Sequence, residues 1–207
     1  MKTMTVSTAI QTRSAVRTFD PSHKMTVAQK QGLLELAMRA PSAWNIQHWR
    51  FVLIENPDQC AALQAAGGGQ AQFTDAAMLV AIVVDLDAWT RDPARYFDGA
   101  PADIAQDLAG KVLDFYADRA WLARDDAMRS CGLTAQTLML AATELGLASC
   151  PMDLFDVDSV KTLLNLPPAH ETAMFVAIGK ALEGHEMPRM GRLPYEQVVV
   201  VDRFPAA

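Results

Sequence analysis

A chain of 207 residues, half of them hydrophobic and a fifth charged, is long enough to enclose one sizeable core and too apolar to be a largely disordered polymer. Its formal net charge of -6 and pI near 5.1 give no basic footprint for nucleic acid or for an anionic membrane, so any bound anion must meet a local arginine cluster. One domain spanning residues 1-207 is expected, with neither nucleic acid nor membrane as a partner. The first residues, "MKTMTVSTAIQTRS", lack the apolar core and cleavage site of a secretory leader. The longest apolar run, "AAMLVAIVV", is too short to span a bilayer, and a cytoplasmic protein is expected. Cys60, Cys131 and Cys150 are odd in number and widely spaced, with no histidine at metal-ligand spacing, and are read as reduced, mostly buried thiols.

In chain order, residues 5 to 12 read as a short helix. Thr26 and Gln29 form a capping-box pattern that opens a second helix running to about Ala40, where Pro41 stops it. "WRFVLIE" (49 to 55) reads as a strand and "NPDQCAALQAA" as a helix with Pro57 in its first turn. The glycines at 67 to 69 break that helix, and "AMLVAIVVD" (77 to 85) has the continuous apolar character of a strand buried on both faces. Residues 89 to 101 carry charges, aromatics and two prolines, an irregular stretch suited to a lid.

Two helices are expected at about 102 to 122 and 125 to 147, the second with apolar residues from Met128 to Leu145 at three- and four-residue steps and Gly146 at its end. A short helix at about 157 to 165, a strand in "ETAMFVAIGKA" and a final strand in "YEQVVVVDRF" complete the pattern. Helices and strands alternate without repeats or linkers, which predicts an α+β fold around a mixed sheet.

Several clusters carry chemistry. In "RSAVRTF", Arg13 and Arg17 lie four residues apart, on one face if the segment is helical. Two adjacent guanidiniums repel unless an anion lies between them, and arginine forks with the Ser14 hydroxyl match phosphate oxygens; the plainer alternative is a solvated charged turn. "MPRMGRLPYEQ" offers Arg189 and Arg192 with the same two readings. Glycine-rich dinucleotide and P-loop motifs and the zinc-protease motif are all absent, and none of His23, His48, His170 and His185 sits in a nucleophile motif. Asp125 and Asp126 lie at a helix start, where they favour the dipole.

"RSAVRTF", "LLELAMRAPSAWNIQHWRFVLIE", "MRSCGLTAQTLMLAATELGLASCPM" and "GRLPYEQVV", taken in that order, resemble the nitroreductase family of FMN-dependent oxidoreductases across nearly the whole chain. The resemblance implies a nitroreductase-like α+β fold, with a mixed or antiparallel sheet flanked by helices. It also implies an intertwined homodimer with an FMN site, built from both chains, at each end of the interface. It carries phosphate binding over to Arg13, Ser14, Arg17 and Arg192. Pro41, Ser42 and Asn45 match positions that reach the flavin from the partner subunit, while Gln47, His48 and Trp49 fit as support for that loop. Gln70 or Gln72 matches a region where a polar side chain meets the pyrimidine ring or ribityl chain.

The chain departs from the family pattern at Ala15, at Ala43 and Trp44, and at Asp153 and Leu154 after "CPM". The Trp44 indole shapes the substrate pocket or covers the dimer interface. The implied activity is NADH- or NADPH-driven reduction of nitroaromatics, quinones or related electron-poor acceptors by ping-pong hydride transfer through flavin N5, with no dedicated catalytic side chain. Dehalogenation, oxygen-dependent flavin chemistry and a non-catalytic flavin-binding or redox-sensing role are the alternatives that the same scaffold leaves open.

Overall fold

The computed structural model describes residues 4–185 and 187–204, and the helices beginning at Val6, Val27, Pro57 and Val157 start where a side chain satisfies free helix amides. Thr5 opens α1 (Val6–Thr12), and the reciprocal Thr26–Gln29 capping box opens α2 (Val27–Ala37). Chain reversal through residues 41 to 48 leads to β1 (Trp49–Ile54), after which Asn56 caps α3 (Pro57–Ala66) with Pro57 in its first turn. A four-residue α4 (Gln72–Asp75) precedes β2 (Met78–Asp85). Beyond a 3-10 turn at Pro93–Phe97 come α5 (Ala102–Tyr116) and α6 (Ala120–Glu144), then β3 (Ala148–Met152), α7 (Val157–Leu163), β4 (His170–Gly179) and α8 (Tyr195–Val198).

The four strands form one sheet in the order β1-β2-β4-β3, every pair antiparallel, so the mixed alternative is resolved to a wholly antiparallel sheet. All eight residues of β2 are buried, and they divide by parity. Met78, Val80, Ile82 and Val84 pack with α2 and α6, while Leu79, Ala81 and Val83 pack with Leu63, Phe73 and Val160 of α3, α4 and α7. Helices on both sides thus explain the continuous apolar run without a parallel sheet: period-two alternation persists, but neither face is wet.

The α6 side facing the sheet carries Ala127, Cys131, Ala135, Leu138 and Ala142, all buried, and these mostly small side chains let a 25-residue helix lie close to the strands. Gly146, at φ 73°, ends it, and the Leu147 amide returns to the Ala142 carbonyl at 2.9 Å. A third cluster, with Ile46, Tyr96, Val112, Tyr116 and Ala123 at its centre, lies beneath the segment joining β2 to α5.

Three expectations need correction. The helix from 102 ends at Tyr116 and its successor begins at Ala120, short of the expected 122 and 125 boundary. β3 lies in "ASCPM", where no strand was expected, because its neighbour β4 completes the ladder. The final apolar run is not a strand in this chain: Tyr195–Val198 form a helical turn, and residues 199–204 join no strand among the described residues. A strand needs a neighbouring ladder, and the isolated chain offers this tail none.

Candidate active site

Arg13 and Arg17 reach one cavity by a different geometry from the helical one considered above. α1 ends at Thr12, and residues 13 to 19 run extended along the sheet edge. There Ala15 bridges Ser149, the Val16 amide donates to the Ser149 carbonyl at 3.0 Å, and Phe19 bridges Ala181. A separation of four keeps two side chains on one side of an extended chain as well as on one side of a helix. The segment after β4 folds back over the same place, with the Leu182 amide donating to the Thr18 carbonyl at 3.1 Å.

Together they enclose a cavity of about 340 Å³ lined by Arg13, Ser14 and Arg17 on one side and by His185, Arg189 and Arg192 on the other. Neither the Arg13 nor the Arg17 guanidinium has a hydrogen bond or ion pair among the described residues, where Arg189 and Arg192 reach only backbone carbonyls. Four guanidiniums with no carboxylate facing them among the described residues, in a protein of net charge -6, present the chemistry of an anion site. Phosphate is the chemistry that such forks and a serine hydroxyl fit, and FMN carries one.

The loop from Pro41 to Trp49 forms a second locus. Trp44, Asn45 and Gln47 have φ of 52°, 56° and 52°, a left-handed conformation that is unfavourable for side chains other than asparagine. Contacts from several directions hold it. The Gln47 amide donates to Ser42 Oγ at 3.0 Å, and the Ala43 amide to Ser130 Oγ of α6 at 3.3 Å. Asn45 Nδ2 donates to the Tyr96 carbonyl at 2.7 Å, and Gln47 Nε2 to the Asn45 carbonyl at 3.2 Å. The fully buried Ile46 anchors the turn from below. Trp44 packs its ring 5.7 Å from Phe115, and Pro41 and Asn45 remain exposed. Asn45 thus has its amino group committed to the 89–101 segment, and its Oδ1 has no partner among the described residues.

No residue of this loop borders the arginine cavity within the chain. Gln70 and Gln72 do not border it either. Gln70 donates to the Gly67 and Leu154 carbonyls at 2.8 and 3.1 Å, and the buried Gln72 places Nε2 4.0 Å from Cys150 Sγ. Both glutamines therefore brace the 150–154 stretch, Gln72 on the side nearer Arg13 and Arg17, whose charges oppose the upward push of burial on the Cys150 thiol. Asp153 and Leu154 lie exposed just beyond β3.

The supporting residues of the loop are where the sequence placed them. Trp49 is in the core, and His48 is wholly buried with neither ring nitrogen hydrogen-bonded. Burial lowers its pKa to about 4, against the opposing pull of Asp126 and Asp85, so the imidazole is neutral. The thiols are inert: Cys131 is pushed up to about 12 by burial, and Cys60 is raised for the same reason.

One network had gone unnoticed. Asp85, the acid that ends β2, is buried and accepts from Arg50 Nη2 at 2.9 Å and from Arg91, with His170 Nε2 3.7 Å away. Arg50 also donates to the Gln47 carbonyl at 3.1 Å, so this carboxylate ties the loop base to the lid that carries Arg91. A lone carboxylate closing an otherwise apolar strand was the available signal.

The nitroreductase family profile matches residues 10–180. Protein DrgA of Synechocystis sp. is 40% identical over 199 residues, covering 94% of this chain and 95% of its own. Among solved structures, YdfN of Bacillus subtilis, assigned as a nitroreductase, superposes with a TM-score of 0.87 at 27% identity, covering 94% and 97% of the two chains. An FMN complex from Exiguobacterium sibiricum, likewise assigned as a nitroreductase, shares the fold with a TM-score of 0.86 at 22% identity, covering 97% and 98%.

Proposed function

The chain belongs to the nitroreductase family, and on that premise we propose that it is an FMN-dependent oxidoreductase that uses NADH or NADPH to reduce nitroaromatics, quinones or related electron-poor molecules. The observation that carries this reading is the cavity of arginines with no carboxylate partner among the described residues, which offers a phosphate local positive charge in a chain of net charge -6. Two relatives from Bacillus subtilis at 29% identity over 91% and 90% of this chain, named NAD(P)H nitroreductases, support the choice of reductant.

Arg13, Arg17 and Arg192 hold the FMN phosphate, with the Ser14 hydroxyl as a further donor. When bound, FMN supplies the two-electron chemistry, accepting hydride from the nicotinamide and passing reducing equivalents to the acceptor. Pro41, Ser42 and Asn45 of the partner subunit position the ring system. The uncommitted Asn45 Oδ1 is an acceptor suited to a ring N–H, and the strained but over-determined loop is rigid enough to hold it in place. Gln72 or Gln70 stabilises the far edge through the 150–154 stretch. Trp44, on the rim formed with Phe115, keeps water from the acceptor or closes the subunit interface.

The same geometry supports a homodimer. The arginine cavity and the loop do not meet within one chain, and the tail from Met187 to Phe204 is exposed throughout, with Leu193, Tyr195, Val198, Val200 and Phe204 in water. So much apolar surface on a short tail is suited to a second copy. Among the described residues no helix is long and apolar enough to cross a membrane, and the three free thiols suit the cytoplasm.

The test is anaerobic. Purified protein should be yellow and dimeric, and NADH or NADPH should bleach it rapidly, with colour restored by a quinone or nitroaromatic. Yellow protein that neither nucleotide bleaches would leave a flavin-binding role without reductase action. Colourless, monomeric protein that takes up no added FMN would remove the reading altogether.

A further inference from the structure

His185 lines the arginine cavity from the turn that follows β4, in a position that the motif comparison did not single out. Its Nδ1 lies 3.2 Å from the Glu183 carbonyl oxygen. A carbonyl can only accept, so Nδ1 carries the hydrogen and Nε2 is the one remaining polar atom of the ring. In the neutral ring Nε2 is a bare lone pair that repels a phosphate oxygen; in the protonated ring it is a charged donor to the same oxygen. The tautomer lock therefore makes this contact two-valued.

We infer that His185 is a proton-dependent phosphate ligand of the arginine cavity, so that retention of the flavin phosphate weakens as the imidazole loses its proton. This inference rests on the FMN reading above and assigns a regulation to that site. The charged groups around the ring are Arg13 and Arg17 from the extended segment, Arg189 and Arg192 from the loop beyond it, and Lys180 and Glu183 from its own turn. Asp20, joined to Lys180 through the backbone, is held by Ser22, and Glu183 is 3.8 Å from Lys180. Among the described residues no carboxylate lines the cavity, so none of them compensates the protonated ring there as a bound anion does.

The sign distinguishes this histidine from the ligand. A phosphomonoester gains its second charge near pH 6, so arginines alone bind it more tightly as pH rises and then hold a plateau. A histidine that binds as the cation contributes fully below its unliganded pKa, and the gain disappears as pH rises through the liganded one. The two effects together give an affinity maximum.

Apoprotein titrated with FMN, followed by flavin fluorescence from about pH 5.5 to 9, should show the dissociation constant pass through a minimum and then rise by about tenfold at the alkaline end, the scale of one charge-assisted hydrogen bond. His185→Gln should lose that alkaline rise and bind FMN about tenfold more weakly near pH 6. His185→Lys, charged across the range, should bind as tightly as wild type at low pH and hold that affinity to high pH. Riboflavin, which lacks the phosphate, should bind all three proteins alike. Tight FMN binding with parallel curves for wild type and His185→Gln overturns the inference alone. Failure of wild type to bind FMN at any pH overturns the FMN reading and this inference with it.

Discussion

Replacing Arg13 and Arg17 together by alanine separates a ligand role from a structural one. Neither guanidinium has a hydrogen bond or ion pair among the described residues, so their removal leaves no buried group unpaired. Surface substitutions free of such features change stability by no more than about 0.5 kcal/mol, and here loss of mutual repulsion makes a small gain the expected sign. Binding should respond otherwise. A hydrogen bond to a charged group contributes about 1.5–3 kcal/mol, and solvent screening at the exposed Arg17 argues for values around or below the lower end, about 1–2 kcal/mol each. Each single variant should then bind FMN roughly 5–30-fold more weakly. The double variant should lose roughly a hundredfold or more, with some non-additivity because the two share one cavity. Equilibrium dialysis with FMN, riboflavin binding as the phosphate-free control and thermal unfolding of the apoprotein form the assay. FMN retention equal to wild type would refute the phosphate assignment, and a fall of several degrees in Tm would show that the pair is structural.

Two further outcomes follow from the core. His48 has its pKa lowered from 6.5 to about 4, so the unfolded chain takes up a proton first as pH falls; the stability linked to the neutral ring is present above pH 6.5 and lost towards pH 4, a change of about 3 kcal/mol at most. Urea denaturation between about pH 7 and 4.5 should show a shallower decline for His48→Phe than for wild type, and identical slopes would refute this origin. Gly67→Ala would place its methyl carbon 2.3 Å and 2.7 Å from Phe73 Cε2 and Cζ, against a ring held edge-on to Phe175 at 5.1 Å. Overpacking of this kind costs about 1–3 kcal/mol, read as a lower denaturation midpoint with unchanged slope, and an unchanged midpoint would show that Phe73 yields freely.

The sequence by itself determined whatever depends on neighbours along the chain. The Thr26–Gln29 box, Asn56 with Pro57 and the glycine after α6 set helix ends through local hydrogen bonds and allowed dihedrals. The run from Met78 to Asp85 announced a strand with no wet face, and the four-residue spacing of Arg13 and Arg17 brings both to one cavity from an extended segment as it would from a helix. The ordered motifs placed the chain in its family, which residues 10–180 bear out.

Only the tertiary structure decided which distant residues meet. Arg189 and Arg192 join Arg13 across the cavity because the segment after β4 pairs with residues 18 to 20. Asp85 meets Arg50 and Arg91 because β1 and the lid converge at the end of β2. Asn45 gives its amino group to Tyr96, a contact between residues 51 positions apart. The same cause explains the mistaken last strand: the valines at 198 to 201 have strand propensity, but a ladder needs a neighbouring strand, and the fold of one chain places none beside them. Pattern and propensity are properties of a segment, whereas pairing, cavities and charge networks arise from closure of the chain on itself.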